Sequence, residues 1–366
     1  MLKKFPVLKW TLIVLSSIIV LLVLFGFWFM SLLPDRDPNI DHSKTRVNDL
    51  AYVVENPVPN RGKVLAVVTS VDKMGNTEKN TGYELTEISR AYYVFKANGF
   101  EVDIASPKGG EPPVVIDDED MGPYDYAFLN DNNAQQKIKN SIAVADIDPS
   151  EYEAVYFAGG KGAMFDFPNN KAIQYIVKEL YQSNKVVGAV CHGPAALVNV
   201  TLDNGMPLVK NKTVSGFTNE EELLLIPDAE EIFPFLLQDG LESKGAKFNA
   251  GAMYLEQISH DNNLITGQNP WSTWKMAETM VSQMGYTPKT RDITAIENAM
   301  QVMITYENHG KQAAKDMILY MSNTSDKPMA RQLLAAHSVV SVMRGKLGRF
   351  ANLVSLTSYA KSVANE

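Results

Sequence analysis

A single cysteine, Cys191, occurs in 366 residues, within the stretch "VVGAVCHGPAAL". A buried cysteine is most simply a small apolar filler, so a chemical role has to be argued from its neighbours. A β-branched run leads up to Cys191, His192 and Gly193 follow it, and Pro194 suits the first turn of a helix. Strand, sharp corner and helix form the order of a nucleophile elbow. Cysteine takes the place of serine in G-x-S-x-G, and Ala189 that of the first glycine. Gly193 supplies the small residue that a tight corner requires. A helix N-terminus at this point would favour the thiolate, which is the nucleophilic form of the side chain.

Two other strand ends carry residue types that would complete such a site. In "FAGGKG", backbone N–H groups at Gly159 and Gly160 can approach a substrate oxygen closely and act as an oxyanion hole. A phosphate cradle is the alternative for such a turn, but neither G-x-G-x-x-G nor a Walker lysine pattern is present. In "GFTNEEE", one of several carboxylates could orient a histidine. The remaining histidines, His42, His260, His309 and His337, are scattered, with His260 placed in a turn, so no metal site and no cofactor is expected.

The elements that must hold these residues alternate. Strands are predicted at "KVLAVVTS", "FEVDIASP", "EAVYFAGG", "KVVGAV", "KTVSGFT" and "NLITGQ". Helices are predicted at "LTEISRAYYVFKANG", "KAIQYIVKELYQSN", "PAALVNV" and "STWKMAETMVSQMG", with a broken helical stretch around Pro227 and Pro234. Such βαβ repetition implies an α/β fold with a mostly parallel sheet covered by helices on both faces. Ligands of such sheets bind beyond the carboxyl ends of the strands, which is where Cys191, Gly160 and the acidic loop fall.

The chain begins differently. Trp10 to Leu33 carries no charge over 24 residues, a length of roughly 36 Å as a helix, which is enough to cross a bilayer. A cleaved signal is the alternative, but the following "PDRDPN" offers no small-residue cleavage site. Lys3, Lys4 and Lys9 precede the span and Asp35, Arg36 and Asp37 follow it, which places the N-terminus in the cytoplasm and the main body outside. Residues 34–61 read as a tether. After Pro288 the pattern is helical only, with Ile293, Ile296, Met300, Met303 and Tyr306 on one face. That face reads as core, with an adaptable methionine-rich binding surface as the alternative. Lys327, Arg331, Arg344, Lys346 and Arg349 read as a solvated basic face, with contact to anionic lipid or a partner as the alternative.

Apolar residues make up 45% of the chain and charged residues 21%, with a formal net charge of -8, as in a folded acidic protein with no tendency toward nucleic acid. One cysteine excludes an intramolecular disulfide.

Several ordered motifs together carry a family resemblance: "TGYELTEISRAYYVFKANGFEVDIASPKGG", "AFLNDNNAQQKI", "DPSEYEAVYFAGGKGAMFDFP", "AVCHGPAAL", "GFTNEEE" and "LITGQNPWS". From Gly62 to about Pro288 the chain resembles PfpI-like members of the class I glutamine amidotransferase-like superfamily, in particular the heat-shock chaperone and glutathione-independent glyoxalase branch. The resemblance implies a flavodoxin-like domain over residues 62–288. A cytoplasmic N-terminus (1–9), a transmembrane helix (10–33) and the tether precede it, and a helical extension (289–366) follows.

It further implies Cys191 as nucleophile, His192 as its acid/base partner, Glu222 orienting that histidine, and Glu87 as the carboxyl group meeting the thiol. Glu84, one helical turn away, is the nearest competing residue. The N–H groups of Gly160 and His192, at the turn that also includes Gly159, would hold an oxyanion. The implied reaction is conversion of a small 2-oxoaldehyde such as methylglyoxal to a 2-hydroxy acid through a Cys191 hemithioacetal, with a small carbonyl substrate, no cofactor and no nucleic acid. A homodimer is compatible with it. A deglycase, amidase or cysteine peptidase would use the same groups, and a non-enzymatic stress chaperone or redox sensor is the reading outside catalysis. Many relatives have histidine after the double glycine where this chain has Lys161, which alters charge at the pocket rim.

Overall fold

The computed structural model describes residues 6–34, 41–117, 121–324 and 329–364. Lys3, Lys4, Asp35, Arg36, Asp37 and Lys327, and the side chain of Lys9, lie outside the described residues. The chain divides into two compact units, an α/β unit over residues 40–292 and a helical unit combining residues 1–39 with 293–366.

The α/β unit is built on a seven-stranded sheet. Its strands are β1 (Lys63–Val67), β2 (Glu101–Ser106), β3 (Ile142–Ala143), β4 (Ala154–Phe157), β5 (Val186–Val190), β6 (Ile258–Asp261) and β7 (Leu264–Gly267). They run in the order β6-β7-β5-β4-β1-β2-β3, all pairs parallel except β6 with β7. The central strands β4 and β5 are buried at every residue, as expected where helices cover both faces. Helix α2 (Leu85–Ala97) is itself almost wholly buried and ends at Gly99, whose φ of 85° supplies the left-handed stop. Helix α3 (Lys171–Gln182) starts on Asn170, whose side chain accepts from the N–H groups of Ala172 and Ile173. Helix α5 (Thr273–Gln283) packs on β5 and beside α2. Gly188 makes that packing fit, since a Cβ there would lie 2.3 Å from Met280 Sδ.

Three expectations are corrected in this unit. The tether is folded from its described start at Asp41. Leu50 and Tyr52 are buried, the Tyr52 hydroxyl accepts from Asn98 Nδ2, and Asn130 Nδ2 donates to the carbonyls of Ser43 and Thr45. The short helical turn Ala51–Val54 packs on α2 and Leu50 and Tyr52 are covered, whereas a solvated linker would leave them exposed; Val54 stays open at 41%. The stretch "KTVSGFT" is not a strand of the main sheet. Only Thr213–Val214 are extended, paired in parallel with Lys247–Phe248 in a separate two-stranded sheet. The Asp261 carboxylate and the Thr266 hydroxyl take the N–H groups of Thr213 and Ser215, bonds that a sheet neighbour would otherwise accept. His260 stands on the edge strand β6 rather than in a turn, with Nε2 2.9 Å from Gln283 Oε1.

In the helical unit, α1 spans Pro6–Met30, and Trp10–Met30 is, among the described residues, the one helix long and apolar enough to cross a membrane. Helix α6 (Ala295–Thr324) breaks at Gly310, where φ is 83° and ψ 179°, and is followed by α7 (Arg331–Met343) and α8 (Leu347–Val363). Met300 and Met303 are buried as a core face requires, but Ile293 precedes the helix and is exposed. The basic residues are not uniformly solvated. Arg331 is buried, and Arg349 is held by Glu307, the His337 carbonyl and Ser341.

Candidate active site

Cys191 follows β5 directly and adopts φ 58°, in the left-handed region that a residue with a Cβ rarely occupies. Such a conformation costs about 1 to 3 kcal/mol and persists only when the surroundings enforce it. Here they do so from both sides: the Cys191 N–H donates to Gly267 O on β7, and its carbonyl accepts from Phe217 N–H, each at 2.9 Å. Gly193 closes the corner, because a Cβ there would lie 2.3 Å from the Phe157 carbonyl oxygen. The segment after the corner is a 3-10 turn, Gly193–Leu197, and not the predicted α-helix over "PAALVNV". A turn so short has little macrodipole, so the expected helix-end assistance to the thiolate is withdrawn.

His192 turns its two ring nitrogens in different directions. Nδ1 lies 3.3 Å from Cys191 Sγ and Nε2 2.5 Å from Glu222 Oε2. The ring is buried and flanked by Phe217 and Phe233, with centroids 4.6 and 6.3 Å away. Burial alone would raise the Glu222 carboxyl, but the charge and hydrogen bond of His192, aided by Lys161, outweigh it and hold it below the usual range. When His192 is neutral, an ionised Glu222 accepts a hydrogen bond from its Nε2–H and leaves the Nδ1 lone pair facing the thiol; once His192 is charged, the same carboxylate stabilises it. Helix α4 (Asn219–Leu225) places this carboxylate in its first turn, capped by Thr218 in a reciprocal capping box with Glu221.

Glu87 approaches from α2. Its Oε2 accepts from the Gly159 N–H at 2.5 Å, its backbone carbonyl accepts from the Tyr156 hydroxyl at 2.9 Å, and its carboxyl also interacts with the Cys191 thiol. Full burial, then the charge of Glu84, pushes the Glu87 carboxyl well above the usual carboxylate range and favours its protonated form, against the pull of the Gly159 hydrogen bond. Burial, then the Glu87 carboxyl, likewise pushes the Cys191 thiol up, with Lys161 opposing. Glu84 itself is only half-buried at the start of α2, and its N–H is bonded to the Gly159 carbonyl.

The glycine turn is tighter than its sequence indicates. A Cβ on Gly159 would sit 2.8 Å from Cys191 Cβ, Glu87 Oε2 and the His192 nitrogen alike, and one on Gly160 would sit 2.2 Å from the Gly82 carbonyl oxygen. Gly159 must be removed from the expected oxyanion hole, because Glu87 already takes its N–H. The N–H groups of Gly160 and His192 meet no backbone acceptor among the described residues. Cys191, His192, Glu222, Glu87, Gly159 and Gly160 are thus brought together from four separate segments.

Glu221 was not singled out in the sequence. Its Oε1 accepts from Tyr254 N–H, Gln268 Nε2 and Asn269 Nδ2, and its Oε2 from Thr218 N–H. It therefore staples the acidic loop to Gln268 and Asn269, which follow β7. The capping pattern T-x-x-E at Thr218 was the available signal.

Comparison with known proteins gives the chain a family. The DJ-1/PfpI family model matches residues 79–283, more than half of the sequence. "Glyoxalase 3" of Candida albicans is 31% identical over 239 residues, covering 60% of this chain and 97% of that protein. "Glutathione-independent glyoxalase HSP31" of Saccharomyces cerevisiae is 30% identical, covering 59% and 94%. The X-ray structure of Francisella tularensis Rapid Encystment Protein 24 KDa superposes with a TM-score of 0.58 at 38% identity, covering 61% of this chain and 99% of that one. The chain belongs to the DJ-1/PfpI family and is an enzyme of it.

Proposed function

We propose that the chain is a membrane-anchored, glutathione-independent glyoxalase that converts small 2-oxoaldehydes of the methylglyoxal class to 2-hydroxy acids. The observation that carries this reading is the strained Cys191, which faces two groups able to carry protons, the His192 imidazole at Nδ1 and the buried Glu87 carboxyl. His192 takes the thiol proton and the sulfur adds to the aldehyde carbon, while the N–H groups of Gly160 and His192 stabilise the developing oxyanion until it is protonated to the hemithioacetal. The hydrogen on that carbon is then removed as a proton, its electron pair forms the carbon–carbon double bond, and the neighbouring carbonyl oxygen is protonated to give an enediol. Reprotonation at the second carbon and loss of the hydroxyl proton at the first produce a thioester. Water cleaves it to the hydroxy acid and restores the thiol. Overall one water is added. Glu87 and His192 are the groups positioned to carry these protons.

The anchor reading rests on α1, whose Trp10–Met30 segment has a mean hydropathy of 2.8 and is unburied by the rest of the chain. The lysines before the span support a cytoplasmic N-terminus and an α/β unit on the extracytoplasmic side. The full chain, purified in detergent and fed methylglyoxal without glutathione, is expected to form lactate. Cys191→Ser should lower the rate about a thousand-fold or more, as loss of a covalent nucleophile does, and Glu87→Gln should lower it while leaving the thiol present. Equal rates in wild type and Cys191→Ser would refute the mechanism. Release of the chain from membranes by alkaline carbonate would refute the anchor.

A further inference from the structure

Helix α4, which carries Glu222, is not held by apolar packing. It is seven residues long, too short to persist on its own, and Glu221 and Glu222 are its only buried side chains. Leu225, in its last turn, is 54% exposed. Glu222 Oε2 nevertheless stands 2.5 Å from His192 Nε2, so groups outside the helix must fix its first turn.

Tyr254, in the loop before β6, supplies two such contacts. Its N–H donates to Glu221 Oε1 at 2.7 Å and its hydroxyl donates to the Glu221 backbone carbonyl at 3.0 Å, so one residue grips Glu221 at both ends. That carbonyl belongs to the peptide bond joining Glu221 to Glu222. In making both bonds Tyr254 takes φ 54°, the left-handed region that Cys191 also occupies. Strain of this kind persists only where the surroundings enforce it, and it gathers at functional sites. The surroundings here are firm. Met253 and Leu255 are buried on either side, the Gly251 N–H donates to Gln268 Oε1, and the Leu255 carbonyl accepts from Asn269 Nδ2. Burial, then the charges of Glu221, Glu222 and Cys191, pushes the Tyr254 hydroxyl well above its usual value, so it stays a protonated donor. Its ring lies 6.3 Å from that of Phe217, which in turn lies 4.6 Å from the His192 ring.

We propose that Tyr254 is a positioning residue of the active site, its N–H and hydroxyl gripping Glu221 so that the adjoining Glu222 stays on His192. The inference rests on the reading of Cys191 as a nucleophile that His192 deprotonates. Without the grip the first turn of α4 shifts, Glu222 stabilises the charged His192 less well, and the thiolate forms less readily. Tyr254 acts through Glu222 and carries no proton of the reaction itself.

Because Cys191 is the sole thiol, its alkylation by iodoacetamide reads the site without turnover. The full chain is used in detergent, at a temperature where circular dichroism shows every variant folded. Tyr254→Phe keeps the ring and removes the hydroxyl. It should slow alkylation about two- to ten-fold, the worth of one hydrogen bond, and lower kcat for methylglyoxal by a similar factor with KM little changed. Glu222→Gln should slow alkylation further, and adding Tyr254→Phe to it should cost nothing more, since the two act along one path. Undiminished alkylation in either single variant, or losses that multiply in the double variant, would overturn the proposal; a lowered melting temperature alone would mark Tyr254 as merely structural. The expected alkylation pattern in a chain that leaves methylglyoxal untouched would refute the glyoxalase reading and leave the grip standing.

Discussion

The two units of the chain differ in the work of their buried polar groups and in the apolar surface they expose. In the α/β unit three buried carboxylates each hold a neighbour, Glu222 on His192, Glu87 on Gly159 and Glu221 on Thr218, Tyr254, Gln268 and Asn269, while Glu87 Oε1 and Glu222 Oε1 are left without a hydrogen-bond partner among the described residues. In the helical unit the buried His337 has no partner for Nδ1, and large apolar side chains stand in the open along α1 and at the corner of α7 and α8. A buried polar group left unpaired destabilises a fold, whereas one that is paired holds a neighbour in place. The first unit thus uses buried polarity to aim a thiol, whereas the second leaves apolar surface bare along α1.

The contrast is broken most severely at Gly159. Gly159→Ala would drive a Cβ into Cys191, Glu87 and the His192 nitrogen together. Overpacking of this kind costs about 1 to 3 kcal/mol, and activity should fall to the level of Cys191→Ser. Thermal melting and lactate formation measure the two effects, and an active, undisturbed variant would show that the turn is looser than described. Glu222→Gln comes next. It keeps the shape but loses the anion that sets the His192 tautomer, so kcat should fall on the order of a hundred-fold, with KM little changed. Restoration by Glu222→Asp would separate orientation from mere packing.

The smallest effect sharpens the contrast through pH. Burial raises Asp166, in the α/β unit, to about 6 against the pull of Ser70 N–H and the Thr69 hydroxyl. Its folded pKa lies above the unfolded one, so the native state holds the proton more tightly. Its contribution is fully present below the unfolded pKa of 3.8 and is lost as pH rises through about 6. Burial, then Arg349, lowers His337 to about 3, so its contribution is present above the unfolded 6.5 and is lost as pH falls toward 3. Between these limits the two groups act in opposite directions. Urea midpoints across that range should lose the falling component in Asp166→Asn and the rising one in His337→Leu, each relative to wild type. Parallel pH profiles in wild type and variant would refute the burial argument for that residue.

Much of the catalytic unit was legible in the sequence because its signals are local. A β-branched run fits a buried parallel strand, the glycine after "KAN" marks a helix stop, and "VCHG" marks a corner. What escaped depends on distant partners. The extension of "KTVSGFT" was cut short because Asp261 and Thr266 took its N–H groups. The tether folded because the turn Ala51–Val54 packs on α2 and the Tyr52 hydroxyl meets Asn98 just beyond it. "PAALVNV" remained a 3-10 turn where the corner packs against the Phe157 carbonyl. In "NEEE" three consecutive glutamates have equivalent chemistry, and only their directions around the first turn of α4 send Glu222 to His192 and Glu221 to the loop after β7.

By itself the sequence determined that the chain would build a largely parallel α/β sheet behind one uncharged N-terminal segment, and that its sole thiol would stand at a strand-to-corner junction. Hydrophobic periodicity and glycine placement act within a few residues, so they can be read along the chain. Tertiary structure alone decided that Glu87 occupies the Gly159 N–H and so removes it from the oxyanion hole, and that Phe25 and Phe350 meet. Those outcomes depend on a few tenths of an ångström between segments far apart in sequence, a scale that only the packed core sets.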